Sequence, residues 1–200
     1  SEKAFAAGAD IKEMADKSYV GAYLEDFITQ GWERVTRCRK PVIAAVNGIC
    51  CGGGLEWALS ADIILAAEHA TFALPEIRSG TVADAASVKL PKRIPYHVAM
   101  ELLLTGRWFD AEEAHRWGIV NQIHPADQLM HKTREMAGLL ASGPPLVYAA
   151  IKEIVRDAEE TVGRAIKSAL AVVDEVVVVD TGSADNSRLI VEGYGARVVE

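Results

Sequence analysis

The sequence predicts an α/β fold in which short buried strands alternate with helices. Residues 41–46 and 62–67 are two apolar runs of strand length, rich in small and β-branched side chains. Such runs are typical of strands that are covered on both faces. Residues 55–60, between them, have helical character, and residues 71–73 form a third, shorter apolar run. The order strand, helix, strand, strand therefore defines the centre of the predicted fold.

Composition is that of a globular protein with a large core. Half of the residues are hydrophobic, so extensive apolar burial is available. The net charge of −7 argues against non-specific nucleic-acid binding, which requires a basic face. No apolar run approaches the ~20 residues of a membrane span, and no signal peptide begins the sequence. We therefore expect neither a nucleic-acid partner nor a membrane partner.

The three cysteines predict a reducing, cytoplasmic location. Cys50 and Cys51 are adjacent and cannot readily bridge each other, and Cys38 makes the count odd. Neither a C-x-x-C nor an H-E-x-x-H spacing is present in the sequence. The sequence therefore predicts no metal site.

A candidate site is centred on three successive glycines, Gly52, Gly53 and Gly54. They allow a sharp turn and a close approach of another molecule to the backbone. The first N–H groups of the following helix lack intrahelical partners and favour negative charge. Glu56 lies in the first turn of this helix, and Glu76 follows the third apolar run. Two carboxylates beside such N–H groups suit general acid–base catalysis, although simple packing of the glycines and a dipole role for Glu56 remain alternatives.

The same stretch resembles the core signature of the crotonase superfamily, the enoyl-CoA hydratases and isomerases. Four blocks carry the resemblance: residues 40–48 (KPVIAAVNG), 52–56 (GGGLE), 61–62 (AD) and 72–76 (FALPE). The similarity extends over residues 1–168, and residues 46–168 resemble the carnitinyl-CoA dehydratase type. It implies a crotonase-type fold of stacked β-α-β turns with outer helices, with the family's N-terminal strands missing.

The resemblance implies an acyl-CoA hydratase or dehydratase that acts across the 2,3 bond of an enoyl-CoA thioester. Glu76 would give or take a proton at one carbon, and Glu56 would activate the water that adds to the other. The backbone N–H groups of Ala9 and Gly53 would form the oxyanion hole, although the residues around Ala9 alone suggest a surface loop. The resemblance implies no metal or redox cofactor, with coenzyme A as part of the substrate, and a homo-oligomer, either trimer or hexamer.

Asp84 is a candidate additional acid. A carboxylate at this distance beyond Glu76 resembles one used by dienoyl-CoA isomerases of the same superfamily, so an enoyl-CoA isomerase is an alternative function. Asp84 is also suited to be the N-cap of a helix beginning at Ala85. In many members of the family a glycine pair follows the catalytic loop, and alanines and a serine replace it here.

Further helices are predicted from apolar periodicity and from their start and stop signals. They cover residues 19–37, 96–104, 126–141, 146–157 and 160–170. A short helix follows Asp110, which suits the N-cap position, with Glu113 at N3 and Gly118 beyond the end. Residues 119–121 are predicted to form a short strand.

The sequence changes character at residues 172–200. A valine-rich run at 176–179 predicts a strand, followed by a turn, a helix near Ser187 and a second strand. Residues 179–185 (VDTGSAD) resemble the start of a family 2 glycosyltransferase. We therefore predict two domains, residues 1–168 and a β-α-β appendage at 172–200.

Two alternative functions are a catalytically inactive crotonase-like scaffold or chimeric fragment, and a nucleotide-sugar-binding protein.

Overall fold

The computed structural model describes residues 3–8, 34–156, 177–179 and 191–199. The chain divides into two compact units, Ser1–Gly143 and Pro144–Glu200. The predicted domain boundary between residues 168 and 172 lies outside the described residues. So do the predicted helix at 160–170 and most of the predicted helix at 19–37, of which residues 34–37 are described and helical.

Seven short strands form two sheets in the described part of the N-terminal unit. The strands are β1 (Ala4–Ala6), β2 (Ile43–Val46), β3 (Ile49–Cys51), β4 (Ile63–Ala67), β5 (Thr71–Ala73), β6 (Phe109–Asp110) and β7 (Gln122–His124). One sheet has the order β1-β3-β5-β6 and the other the order β2-β4-β7. All neighbours pair in parallel except β5 and β6, which are antiparallel.

The chain alternates between the two sheets as it advances. Strand β2 belongs to one sheet and β3 to the other, and after an intervening helix β4 and β5 repeat the same alternation. Each pair of successive strands, β2–β3 and then β4–β5, adds one strand to each sheet. Because the added strands run parallel to their neighbours, a crossover connection joins one pair to the next. This arrangement is the stacked β-α-β fold that the sequence predicts, and the α/β fold class is confirmed.

Helices and 3-10 turns make the connections. The helices of this unit are α1 (Gly53–Ala58), α2 (Asp84–Lys89), α3 (Tyr96–Thr105), α4 (Ala111–Arg116) and α5 (Ala126–Ala141), with 3-10 turns at Pro75–Ser79 and Leu90–Lys92. The bounds of α5 agree with the predicted 126–141. The predicted cap of α4 is also confirmed, because the Asp110 side chain accepts a hydrogen bond of 2.8 Å from Glu113 N–H.

Strand β2 separates two apolar clusters. Ala44 and Val46 are buried in the main core, which lies against α1 and α3. The alternate residues, Ile43 and Ala45, pack against a smaller cluster. That cluster consists of Leu65, Ala67 and Leu129. Because successive strand residues face opposite sides, β2 is covered on both faces, as its composition predicts.

Two predictions for this unit need correction, and two strands were not predicted. The sequence predicts no strand at residues 4–6 or 49–51, whereas these segments form β1 and β3. The strand expected at 119–121 lies instead at Gln122–His124, where it pairs in parallel with Leu65–Ala67 of β4. Asp84 is the first residue of α2 and does not cap it, because the N-cap is Ala83.

The C-terminal unit contains helix α6 (Pro145–Arg156) and two strands, β8 (Val177–Val179) and β9 (Arg197–Val199). The two strands pair in parallel, with Val178 opposite Val198. Residues 191–193 are helical and precede β9. A parallel pair needs a crossover connection, so these elements agree with the predicted β-α-β order, although the helix predicted near Ser187 lies outside the described residues.

Candidate active site

The glycine turn joins β3 to α1 and brings the two predicted catalytic glutamates together. Gly52 has a φ of +55°, a left-handed conformation that glycine adopts without a steric penalty. Its carbonyl accepts hydrogen bonds from Leu55 N–H and Glu56 N–H at 2.9 and 3.1 Å, which closes the first turn of α1. Its own N–H donates to Ala73 O at 3.0 Å, which ties the turn to β5.

Gly54 permits close contact between α1 and β1. A Cβ on this residue would lie 2.2 Å from the carbonyl oxygen of Ala6, a distance that no side chain could occupy. Gly54 itself is buried. The glycine run therefore has a packing role at Gly54, as one of the alternative interpretations proposed, in addition to forming the turn at Gly52.

Glu76 lies directly over this turn. It belongs to the 3-10 turn Pro75–Ser79, which follows β5. A Cβ on Gly52 would lie 2.9 Å from Glu76 Oε1, so the carboxylate is in contact with the Gly52 backbone. The second oxygen, Oε2, is buried and has no hydrogen-bond partner among the described residues.

The surroundings of Glu76 favour its protonated form. Burial raises the pKa of this carboxyl above its usual value, and the negative charge of Glu56 raises the pKa further. A hydrogen bond to the backbone of Glu76 acts in the opposite direction but does not cancel the rise. A carboxyl group with a raised pKa is suited to exchange a proton with a substrate near neutral pH.

Glu56 is held by a different contact. It lies in the first turn of α1, and its Oε1 accepts a hydrogen bond of 2.9 Å from the backbone N–H of Ala86 in α2. The backbone carbonyl of Glu56 accepts a further hydrogen bond of 3.0 Å from Ser60 Oγ. The side chain is half-buried, so the carboxylate is oriented by α2 while it stays accessible.

Only one of the two predicted oxyanion-hole donors, Gly53, lies within the described residues. Gly53 is the first residue of α1, where a backbone N–H has no intrahelical acceptor. A Cβ on Gly8 would lie 3.0 Å from Gly53 N, so the backbone at Gly8 is in contact with this amide. The other predicted donor, Ala9, lies outside the described residues, although it follows Gly8 directly in the sequence.

Asp84 stands at the start of α2, two residues before the amide that binds Glu56. Its side chain is exposed. The structure thus places Asp84 on the same helix as the Glu56 contact, but no hydrogen bond or ion pair joins it to Glu56 or Glu76 within the described part of the chain.

The cysteines of β3 lie close to the glutamates but are poorly suited to be nucleophiles. Cys50 is fully buried, and burial raises the pKa of its thiol to about 12. Burial and the charge of Glu76 also raise the pKa of Cys51, whose Sγ lies 3.9 Å from Ala7 O. All three cysteines are free thiols, as the sequence predicts.

Sequence reasoning missed two features of this site. The contact of Ala86 with Glu56 joins residues thirty positions apart through a backbone amide, so no residue type in the sequence signals it. The contact of Gly8 with Gly53 had a signal in the sequence, the glycine itself, because glycine is favoured where another backbone approaches closely or where φ is positive, as at Gly8 with its φ of +94°.

The described part of the chain contains neither a metal-binding cluster nor a membrane-spanning helix. No group of three or more His, Cys, Asp or Glu side chains in the described ranges is arranged to hold a metal ion. Among the helices that the structure describes, none is both long and apolar enough to span a membrane.

Comparison with known proteins identifies close relatives. The profile of the family described as enoyl-CoA hydratase/isomerase matches residues 1–193. A carnitinyl-CoA dehydratase of Proteus mirabilis is 45% identical over 163 residues, which is 80% of this chain and 61% of the relative. The corresponding protein of Citrobacter koseri is 47% identical over the same length.

Solved structures have the same fold. An enoyl-CoA hydratase from Bacillus anthracis superposes with a TM-score of 0.74 at 37% identity, over 79% of this chain and 62% of that chain. A carnitinyl-CoA dehydratase from Mycobacterium avium gives a TM-score of 0.69 at 37% identity, over 78% and 61%. Pseudomonas aeruginosa DspI gives 0.76 at 27% identity, over 97% of this chain and 73% of that chain.

The chain spans about three fifths of the length of the curated relatives that it matches, 61% for the Proteus protein.

The family profile continues to residue 193, through most of the segment that resembles a glycosyltransferase, so the comparisons do not bear out that second resemblance. The profile match and the identity of 45% both support the crotonase resemblance. The chain therefore belongs to the enoyl-CoA hydratase/isomerase family.

Proposed function

We propose that this protein is an acyl-CoA hydratase or dehydratase that adds or removes water across the 2,3 bond of an enoyl-CoA thioester. The supporting observation is that Glu56 and Glu76 meet at the turn formed by Gly52, where Glu76 has a raised pKa. Family membership supports the substrate class, since relatives are named enoyl-CoA hydratase and carnitinyl-CoA dehydratase.

Glu76 exchanges the proton at the α-carbon of the thioester in this proposal. Its pKa is raised by burial and by Glu56, so it holds its proton to a higher pH than an ordinary glutamate does. Its Oε2, which has no partner among the described residues, is left to bond with the substrate. A positioned acid or base of this kind typically contributes about 10²–10⁴-fold to the rate.

Glu56 binds and activates the water that adds to the β-carbon. The Ala86 N–H fixes one carboxylate oxygen, which leaves the other free to accept a proton from water. The N–H of Gly53, at the first position of α1, and that of Ala9 donate to the thioester oxygen as it becomes an enolate. One such donor is commonly worth about 3–4 kcal/mol in the transition state.

The reaction as proposed uses no cofactor beyond the coenzyme A of the substrate. Proton transfer and water addition at an activated thioester are performed by carboxylates and backbone amides alone. By family resemblance, the active form is a homo-oligomer, a trimer or hexamer. Size-exclusion chromatography with light scattering measures the number of subunits directly.

The decisive experiment measures the addition and removal of water and the exchange of the α-proton in one protein. Hydration is measured with a short enoyl-CoA and dehydration with carnitinyl-CoA, while exchange of the α-proton of a saturated acyl-CoA with deuterated solvent is followed by mass spectrometry. Product analysis separates hydration from the double-bond shift that an isomerase would catalyse, and Asp84→Asn tests the additional acid. The exposed Glu68 provides a matched control, Glu68→Gln.

We expect Glu76→Gln to abolish α-proton exchange and Glu56→Gln to abolish hydration, with Glu68→Gln unchanged. Exchange at the wild-type rate in Glu76→Gln would rule out the proposed acid. Acyl-CoA binding with neither reaction in the wild-type chain would identify the protein as an inactive scaffold.

A further inference from the structure

Helix α2 is attached to α1 at two polar points. Ala86 N–H donates to Glu56 Oε1 at 2.9 Å, and Lys89 Nζ donates to Ser60 Oγ at 2.6 Å. Ala86 lies in the first turn of α2 and Lys89 is its last residue, whereas Glu56 lies in α1 and Ser60 is two residues beyond the end of α1. The two hydrogen bonds therefore connect α2 to α1 and to the segment that follows it.

Ser60 connects the Lys89 hydrogen bond to Glu56. Its hydroxyl accepts from Lys89 and donates to the backbone carbonyl of Glu56 at 3.0 Å. Glu56 is thus held at its carbonyl through Ser60 and at its carboxylate through Ala86. The contact with the carboxylate comes from α2 directly, and the hydroxyl of Ser60 is held in turn by Lys89, which also belongs to that helix.

Basic side chains reach the C-terminal end of α1 from elsewhere in the chain. The last turn of α1 contains no basic residue of its own. Lys89 bonds to Ser60 just beyond that end, and an Arg93 guanidinium N–H donates to Leu59 O. Cations at a helix C-terminus interact favourably with its unpaired carbonyls, which gives α2 a preferred position on α1.

The apolar contacts between these segments do not fix that position by themselves. Ala86 and Leu90 are buried against the core that includes Leu55 and Leu59. Apolar packing is not directional, so a small helix can shift while it stays buried. The hydrogen bonds of Lys89 and Ser60 are directional, so they fix the position of α2 where apolar packing does not.

We propose that Lys89 and Ser60 are positioning residues for Glu56, holding α2 so that the Ala86 amide aims the Glu56 carboxylate at the reacting water. This inference rests on the proposed function of Glu56 as the residue that activates water. Lys89 and Ser60 touch neither the water nor the thioester in this scheme. Their effect on Glu56 passes through α2 and through the backbone of Glu56.

The test compares Lys89→Met, Ser60→Ala and the double variant with wild type. Lys89→Arg is the conservative variant, because it keeps the cation, and Lys92→Met is the matched control, because Lys92 is exposed on the adjacent 3-10 turn. The first measurement is the amide proton of Ala86 by NMR, through its chemical shift and hydrogen exchange. The second is the pair of reactions described above, hydration and α-proton exchange.

We expect Lys89→Met to move the Ala86 amide resonance, to accelerate its exchange, and to lower kcat for hydration about 10- to 100-fold with KM unchanged. The α-proton exchange that depends on Glu76 is expected to stay at the wild-type rate. Lys89→Arg should restore hydration, and the double variant should be no worse than the more impaired single variant, since each single variant already breaks the bond between the two residues.

An unchanged Ala86 amide in Lys89→Met would overturn the proposal. A parallel loss of hydration and α-proton exchange would also overturn it, because that result indicates general loosening of the site. If the wild-type chain catalyses neither reaction, the proposed function fails, and the Ala86 resonance then decides separately whether Lys89 holds the contact with Glu56.

Discussion

Replacing Glu76 by glutamine is expected to remove catalysis and at the same time to stabilise the fold. The Glu76 carboxyl has one buried oxygen without a partner among the described residues. Burial raises its pKa, and repulsion from Glu56 adds to the rise. Glutamine has the same shape without the charge, so it relieves the repulsion and the desolvation of the ionised form.

The size of the gain follows from the environment of the side chain. A buried polar atom without a partner costs about 1–3 kcal/mol, and more when it is charged. The Glu76 side chain as a whole is only half-buried, so solvent screens part of its charge and the expected gain is about 1 kcal/mol. For a domain of this size, about 1 kcal/mol corresponds to a rise of roughly 2–4 °C in Tm.

The gain should depend on pH in a defined direction. Because the pKa of Glu76 is higher in the folded than in the unfolded chain, the folded protein binds this proton more tightly. The stabilisation from that proton is present below the ordinary glutamate pKa of about 4.3 and is lost as the pH rises through the folded value. The Tm advantage of Glu76→Gln should therefore be small in acid and reach its maximum at mildly alkaline pH.

Scanning calorimetry of wild type, Glu76→Gln and the exposed control Glu68→Gln across this pH range measures the effect. The control should follow wild type at every pH. A Glu76→Gln protein that melts below wild type at mildly alkaline pH would refute the argument that the ionised carboxylate destabilises the fold. Full turnover in the same variant would refute its catalytic role.

Three further substitutions test the geometry around the glycine turn and one helix cap. Gly54→Ala would place a Cβ 2.2 Å from Ala6 O, so denaturant unfolding should show a loss of about 3 kcal/mol. Gly53→Pro removes an N–H and should lower kcat by about 10²–10³-fold; because Gly8 contacts this amide, circular dichroism must first show that the variant is folded. Asp110→Ala removes the acceptor for Glu113 N–H and should cost about 1 kcal/mol, whereas Asp110→Asn retains most of the stability.

Elements with strong local signals were predictable from sequence. Helix α5 has its predicted bounds because a long amphipathic segment follows a proline and ends before the Ser-Gly-Pro-Pro run. The cap of α4 was predictable because Asp110 and Glu113 have the spacing of a capping pair. Strand β5 also has its predicted bounds at Thr71–Ala73.

The missed strands have no such signal. β1 and β3, like β5, have three residues each, too few to show a period of two, and only β5 was predicted. Each becomes a strand by pairing with distant segments, as when Ile49 lies opposite Ala4 on one side and Thr71 on the other. Their existence is a property of the assembled sheet, and sequence reasoning on a short window cannot detect it.

The same limit applies to the candidate site. The sequence predicts Glu56, Glu76 and the glycines as site residues, because their residue types and spacing match the motif of the family. It could not show that Glu56 is hydrogen-bonded by Ala86 while one oxygen of Glu76 is buried without a partner in the described structure. These contacts come from α2 and from the 3-10 turn, which the fold brings to the site from later in the chain.

Gly52 explains how the separation of the two glutamates is set. Its carbonyl accepts from Glu56 N–H, and its Cα is in contact with the Glu76 carboxylate. The N–H of the same residue donates to Ala73 O, at the end of the strand that leads to Glu76. One residue without a side chain is therefore bonded to the helix that carries one carboxylate and to the strand that precedes the other. The two carboxylates stay close to each other despite their repulsion, because the buried strands β3 and β5 hold both segments in place.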